Sequence, residues 1–191
     1  IGTGDLADAG LDGTLVALGD VVRAMIGAAT PLVALVHGVA AGAGLSLALA
    51  CDYVLAGSQA SFVLAFARIG LMPDGGATAL VAANIGRARA LRMALTGEKV
   101  EAAVAEQWGL VSELVADEDF AARAEVVLAD LAGRGPLAAA ATRRAINAAT
   151  LDLEAALARE ERGQSMLLTT SDFVEGVTAF REKRTATFHG N

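Results

Sequence analysis

The stretch "VHGVAAGAGLSLALACD", from Val36 to Asp52, raises the first question about this chain. A loop of glycine and alanine runs directly into an apolar segment, with no charged residue before the final aspartate. Backbone without bulky side chains lets another group approach closely. The first amides of a helix have no partner within it and lie at the positive end of its dipole. The pattern therefore predicts a strand, a glycine loop and a helix whose first amides can receive a carbonyl oxygen.

Two other interpretations of this stretch stay open on the residues alone. No Asp, Glu, Lys or Arg occurs between Pro31 and Cys51, and a bilayer span needs about 20 apolar residues. Gly38 and Gly42 also have the spacing of a membrane helix-packing motif. Against a span, Pro31 opens a short β-branched run, the glycines would weaken a helix centre, and neither flank is basic. The second alternative is a tight strand-to-helix turn that binds nothing.

Composition limits the classes of function. The chain has 191 residues, enough for one sizeable core, and a formal charge of −7, which disfavours nucleic-acid binding. Its single cysteine, Cys51, excludes an internal disulfide framework and the spacing of a metal cage, and it favours a reducing compartment. The chain begins "IGTGDL" without Met or a basic segment, so we expect no secretory signal, a start within the fold and a cytoplasmic location.

Apolar periodicity predicts strands that alternate with helices, followed by helices alone. The alternation predicts an α/β core, and the pattern after Asp117 predicts a helical C-terminal portion. The predicted strands are 31–36, 52–56 and the segment "LVSELV"; the predicted helices are 15–26, 45–50, 77–84, "GRARALRMALTGE" between Gly86 and Gly97, and "VEAAVAEQWGL".

Four segments together resemble the enoyl-CoA hydratase/isomerase (crotonase) superfamily. They are "VHGVAAGAGLSLALACDYVLA", "FVLAFARIGLMPDGGAT", "GRARALRMALTGEKVEAAVAEQWGLVSELV" and "EGVTAFREKRTATF". Within it the chain looks most similar to the ring-opening isomerases of phenylacetate degradation and to enoyl-CoA isomerases. The resemblance implies a crotonase-like α/β fold, a ββα superhelix, with the core in residues 1–133 and a helical trimerisation region in residues 134–191. It also implies that an N-terminal part of the fold is missing from this sequence.

The same resemblance assigns a binding site for an acyl-CoA thioester. The thioester carbonyl would accept hydrogen bonds from the backbone amides of Gly4 and Ala43, which would stabilise an enolate. Residues placed by the resemblance along the coenzyme A are Gly4, Asp5, Leu6, Ala43, Gly44, Phe180 and Lys183. An amphipathic terminal helix with a solvated lysine stays an alternative for Phe180 and Lys183. The resemblance implies no metal and no separate cofactor, because coenzyme A is part of the substrate, and it implies a homotrimer or a dimer of trimers.

The catalytic carboxylates of the family's hydratases are absent from this chain. Ser46 and Phe66 stand at the two positions where those hydratases carry glutamate, and neither is a carboxylate acid or base. Asp74, in "LMPDGG", matches the catalytic aspartate of the ring-opening isomerases. A lone carboxylate suits a proton shuttle, because one base can serve both proton transfers. Asp74 could instead cap the helix that follows, since Asp is a preferred N-cap.

Three hypotheses follow for the activity. The favoured one is isomerisation of an acyl-CoA through a stabilised enolate, either a double-bond shift or a rearrangement of an epoxidised ring. The second is hydration of a 2-enoyl-CoA, with water activated by something other than the two glutamates. The third is a non-catalytic homologue that binds coenzyme A and works through its assembly. Neither His37 nor Ser46 has a partner constellation that predicts catalysis.

Overall fold

The computed structural model describes residues 11–191, with side chains from residue 13 onward. Its helices are α1 (Leu11–Gly27), α2 (Ala43–Leu49), α3 (Ala77–Thr96), α4 (Ala102–Trp108), α5 (Phe120–Ala132), α6 (Pro136–Thr150), α7 (Leu153–Leu167) and α8 (Ser171–Glu182). Its strands are β1 (Val33–Val36), β2 (Val39–Ala41), β3 (Tyr53–Gly57), β4 (Ser61–Val63), β5 (Lys99–Glu101) and β6 (Glu113–Val115). A 3-10 helix occupies Ala65–Ile69.

The strands form two small sheets in a repeated pattern of two strands and a helix. In the first sheet β3 lies between β1 and β6, and both neighbours are parallel to it, with Val33 opposite Tyr53. In the second sheet β4 lies between β2, which is parallel, and β5, which is antiparallel. Strands β1 to β4 therefore alternate between the two sheets, as expected for a ββα superhelix, whereas β4 and β5 lie side by side in the second sheet.

The core lies between the sheets and helices α2 and α3. Its fully buried large side chains include Leu45, Leu55, Phe62, Leu80 and Met93. The three predicted strands match β1, β3 and β6. The second sheet was not predicted, because each of its strands has three residues and too few alternations to show a period of two.

The charge-free stretch is not a membrane span. Residues 31–51 fold as two short strands and a seven-residue helix. Among the residues that the structure describes, no helix is both long enough and apolar enough to cross a bilayer. The membrane interpretation is therefore wrong, for the reason that the glycines suggested: they break the segment into separate elements.

Gly86 is a kink inside α3 rather than a gap between helices. Its backbone has φ 76° and ψ 162°, which is not helical, while the residues on both sides are. The two helices predicted on either side of Gly86 are thus two arms of one bent element. Gly97 ends the second arm in the left-handed conformation, as the sequence predicted.

The C-terminal helices pack back onto the core. Arg143 on α6 is buried and forms an ion pair with Asp52, with 2.6 Å between Nε and Oδ1. Helix α7 packs against α1 and α3, and α8 packs against the 3-10 helix. A Cβ on Gly176 would lie 2.6 Å from the backbone of Ile69, so glycine allows α8 this close approach. Helix α7 is thereby held behind the turn that carries Asp74.

Candidate active site

The turn before α3 carries the carboxylate that the sequence singled out. Asp74 is 9% exposed and is followed by Gly75 and Gly76, both with positive φ, so the chain reverses sharply into α3. The Ser46 hydroxyl, on α2, donates a hydrogen bond of 2.8 Å to the Asp74 carbonyl oxygen. Ser46 is fully buried, so it fixes the backbone of the turn and presents no group to a substrate.

The anion that caps α3 comes from Glu160 on α7. One carboxylate oxygen of Glu160 accepts from the Gly76 amide at 2.6 Å, and the other accepts from the amide and the hydroxyl of Thr78, at 2.8 and 2.5 Å. Glu160 is 1% exposed, and its charge lies at the positive end of α3. The helix begins after Gly76, and Asp74 makes no side-chain cap. The alternative of Asp74 as an N-cap is therefore wrong.

The carboxylate of Asp74 is held from one side only. Oδ2 accepts a hydrogen bond of 3.0 Å from Nε2 of Gln164, which is 1% exposed. Oδ1 is buried and has no hydrogen-bond partner among residues 11–191. Burial raises the pKa of Asp74 above its ordinary value, and the Gln164 hydrogen bond opposes part of that rise. A carboxyl group with a raised pKa binds a proton more readily than an ordinary aspartate, as a proton carrier requires.

A second carboxylate lies close to this one. Burial raises the pKa of Glu160, its hydrogen bonds with Thr78 and Gly76 lower it, and the charge of Asp74 raises it. Glu160 receives three donors, whereas Asp74 receives the one from Gln164. Because donors stabilise the ionised form, these hydrogen bonds favour ionisation of Glu160 more than that of Asp74.

A cavity of about 260 Å³ opens beside Asp74. Its apolar lining comes from Leu15 and Val16 on α1 and from Leu157 on α7. Arg23, Glu160 and Glu161 also line it, and Arg23 pairs with Asp20 and Glu154. The volume and the apolar walls suit a small acyl group placed against the Asp74 side chain.

Phe66 lies across the loop before α2. A Cβ on Gly42 would meet the end of the Phe66 ring at 3.4 Å, and Gly42 has φ 53°. The positive φ favours glycine there, and the approach of a carbonyl oxygen to this loop stays a prediction. Neither hydratase position, Ser46 or Phe66, supplies an acid or a base to the site.

The structure describes only some of the predicted oxyanion donors. Ala43 is the first residue of α2, so its amide and that of Gly44 have no acceptor within the helix. Among the residues that the structure describes, none outside the neighbouring backbone would place an atom within 4 Å of a Cβ on Gly44. The other predicted residues of this group, Gly4, Asp5 and Leu6, lie outside the described residues.

The remaining predicted contacts lie at the surface. Phe180 on α8 is 74% exposed, and Lys183 ends that helix in the left-handed conformation, with φ 55°. No contact in the structure joins either side chain to Asp74. His37 follows β1, and its ring packs edge-on against Phe120, with 5.7 Å between the ring centres.

Sequence reasoning missed Glu160 and Gln164. Both lie on the buried face of α7 with Ala156 and Leu157. Their spacing at i and i+4, in phase with Leu157, carried a signal, because polar residues within the apolar stripe of a helix need buried partners. The sequence could not show that those partners are residues 72–78, more than 80 positions earlier.

Substitution of Asp74 by Asn tests its burial through stability. Because the folded chain holds this proton at pH values where the unfolded chain has lost it, native stability falls as pH rises through the raised pKa. Asp74→Asn removes that titration, so the variant should gain stability relative to the native chain as the pH rises above about 4, the ordinary pKa of aspartate, measured by urea unfolding.

The exposed Glu118→Gln substitution controls for the removal of one negative charge from an acidic chain. An Asp74→Asn chain whose stability parallels that of the native chain at every pH would contradict the raised pKa.

Comparison with known proteins identifies the family. The family model described as enoyl-CoA hydratase/isomerase matches residues 15–191. The chain is 47% identical to a probable enoyl-CoA hydratase of Rhodobacter capsulatus, over 88% of this chain and 66% of that protein. It is 40% identical to the 1,2-epoxyphenylacetyl-CoA isomerase of Escherichia coli, over 88% of this chain and 65% of that protein. The chain thus spans just under two thirds of the length of these curated relatives.

Solved structures confirm the predicted crotonase-like fold. A crystal structure of an enoyl-CoA hydratase from Mycobacterium avium subsp. paratuberculosis superposes with a TM-score of 0.92 at 51% identity, covering 94% of this chain and 74% of that one. An enoyl-CoA hydratase/isomerase from Pseudoalteromonas atlantica gives a TM-score of 0.82 at 30% identity, covering 88% of this chain and 68% of that one. The chain belongs to the enoyl-CoA hydratase/isomerase family, the crotonase superfamily.

Proposed function

We propose that this chain is an acyl-CoA isomerase that works through an oxyanion-stabilised enolate. The observation that carries the proposal is Asp74, a buried carboxylate with one oxygen unpaired among the described residues, beside a cavity lined by both apolar and charged side chains. Ser46 and Phe66, at the two hydratase positions, provide no second carboxylate. One proton carrier is sufficient for an isomerase, which takes a proton from one carbon and returns it to another.

In the proposed reaction Asp74 acts twice. Its ionised carboxylate removes a proton from the α or γ carbon of the thioester, and the electrons of that C–H bond move toward the thioester oxygen. The Ala43 amide donates to the resulting oxyanion, together with the Gly4 amide that the family resemblance places there. Asp74 then returns the proton to a different carbon, which shifts the double bond or completes the rearrangement of an epoxidised ring.

The coenzyme A is held outside this cavity in the proposal. Gly4, Asp5, Leu6 and Gly44 would contact it near the thioester, and Phe180 and Lys183 would contact its adenine and phosphate. The high exposure of Phe180 supports this, because a surface ring is available for stacking on a base. The reaction as written needs no metal and no separate cofactor.

Hydration is the second candidate. It is favoured by the names of two relatives, the probable hydratase of Rhodobacter capsulatus and the 2,3-dehydroadipyl-CoA hydratase of Escherichia coli, which is 38% identical. Against it, water addition needs an acid and a base over the substrate, and Ser46 and Phe66, at the two hydratase positions, supply neither. Glu160 has both oxygens occupied by donors from Gly76 and Thr78. Turnover of 3-enoyl-CoA, 2-enoyl-CoA and an epoxyphenylacetyl-CoA separates the candidates.

Asp74→Asn tests the proton carrier. It should lower kcat for isomerisation by about 10²–10⁴, the usual contribution of a positioned acid or base, while acyl-CoA affinity by calorimetry stays near native. The surface substitution Asp130→Asn, on α5, is the control. An Asp74→Asn chain with native turnover on the thioesters that the native chain converts would refute the assignment and would point to a different base.

Ala43→Pro tests the oxyanion donor. Proline has no amide hydrogen and is tolerated at the first position of a helix, which Ala43 occupies in α2. We expect kcat to fall by about 10²–10³, as when one oxyanion donor is lost elsewhere, with thermal stability close to native. Ala43→Ser keeps the amide and a small side chain and should retain activity. Equal kcat values for the Pro and Ser chains would exclude this amide as the donor.

We further propose that residues 134–191 hold the chain in a trimer or a dimer of trimers. Large apolar side chains on these helices face solvent in the single chain, among them Leu137 at 85% exposure, Ile146 and Met166. Side chains of this kind are normally covered by a partner. Light scattering at micromolar concentration should give a trimer or a hexamer, and a stable monomer would contradict the proposal.

A further inference from the structure

We propose that Gln164 is a positioning residue: its side-chain amide fixes one oxygen of Asp74 and reserves the other, Oδ1, for the proton. This inference rests on the proposed function of Asp74 and adds a residue on α7 to it. Its basis is the geometry of three groups, namely Gln164, Asp74 and the Met72 backbone.

The orientation of the Gln164 amide is fixed by a backbone group. Its Oε1 accepts a hydrogen bond of 3.1 Å from the Met72 amide, which can only donate. The Nε2 end must therefore face Asp74, where it donates to Oδ2 at 3.0 Å. Since Gln164 is almost fully buried, no water competes for either end. The amide and the segment 72–74 form a closed unit that cannot turn over without breaking both bonds.

This geometry makes the two oxygens of Asp74 unequal. Oδ2 accepts a hydrogen bond from an N–H donor, which makes it less basic than Oδ1 and leaves it poorly placed to carry the proton. Oδ1 has no partner among the described residues and is free to carry the proton. In the reaction the C–H bond of the substrate breaks, an O–H bond forms at Oδ1, and the reverse transfer returns the proton to the new carbon. A carboxyl group that always uses the same oxygen keeps its distance to the substrate constant.

Charged groups around Asp74 come from α1 and α7. Glu160 and Glu161 on α7 line the same cavity, and Arg23 on α1 also lines it but is paired with Asp20 and Glu154. Against this background the Gln164 N–H stabilises the ionised form of Asp74. Loss of the donor should therefore make Asp74 harder to ionise.

Two substitutions test the proposal without any substrate. Carboxyl ¹³C NMR on the aspartate-labelled chain, with Asp74 assigned by the Asp74→Asn variant, gives its titration directly. Gln164→Leu, which removes the donor, should move the midpoint of Asp74 upward. Gln164→Glu, which places a carboxylate against Oδ2, should move it further, because two facing carboxylates share one proton. Gln107→Leu on α4, an exposed glutamine, should leave it unchanged.

Kinetics then test the consequence for catalysis. If Asp74 must be ionised to start the reaction, kcat/KM for the Gln164→Leu chain should fall roughly tenfold at about pH 6 and recover toward native at about pH 9. A merely structural role would lower kcat/KM equally at both pH values. Thermal unfolding confirms that each variant folds. If the Gln164→Leu chain does not fold, Gln164→Glu, which is nearly isosteric with the native residue, takes its place in the test.

The outcomes separate the two proposals. An unchanged Asp74 midpoint in both folded Gln164 variants overturns the positioning role, whatever the activity of the chain. A shifted midpoint together with native turnover by Asp74→Asn overturns the proposed function while Gln164 still controls the titration of Asp74. A shifted midpoint with an inactive Asp74→Asn chain and a pH-dependent loss in Gln164→Leu supports both.

Discussion

The carboxylate of Glu160 at the start of α3 is the interaction on which the site depends. The first amides of a helix need acceptors, and here a buried anion from α7 receives the amides of Gly76 and Thr78. A buried charge is kept only where its partners compensate for lost water. Removal of the Glu160 carboxylate would leave the buried amides of Gly76 and Thr78 unpaired, and it would release α7 from the core. Because this anion caps the helix, Asp74 need not do so, and its unpaired oxygen remains available for chemistry.

Three elements fix the turn that holds Asp74, each through a different atom. Ser46 on α2 binds its carbonyl oxygen, Gln164 on α7 binds its carboxylate, and Gly75 allows close packing, since a Cβ there would lie 2.9 Å from Leu18 on α1. Ser46 is informative because a hydratase glutamate occupies that position in the family. In this chain the position supports the backbone of the proton carrier and provides no second acid, which is a structural reason for one carboxylate to act alone.

The sequence predicted what is local and missed what is distant. The strand, glycine loop and helix around Gly42 follow from residues within one short window, and so do the breaks at Gly86 and Gly97. The second sheet was not predicted, because Val39–Ala41 and Ser61–Val63 are too short to show the two-residue period of a strand. The alternative of Asp74 as an N-cap was wrong because, although a preferred capping residue stands just before the helix, the acceptor that caps it, Glu160, comes from far along the chain. Only tertiary packing decides such a competition.

Helix α7 contributes both to the candidate site and to the proposed oligomer interface. Its inward face presents Glu160 and Gln164 to the turn at Asp74, and its outward face exposes Met166. A partner that covers the outward face in the proposed oligomer would press the same rigid helix against the site. The hydrogen bonds of Glu160 and Gln164 are short and directional, so a shift of α7 by about 1 Å would lengthen them beyond useful range. Assembly would then matter for catalysis without contributing any group to the substrate, because it keeps α7 in the register that the proton carrier requires.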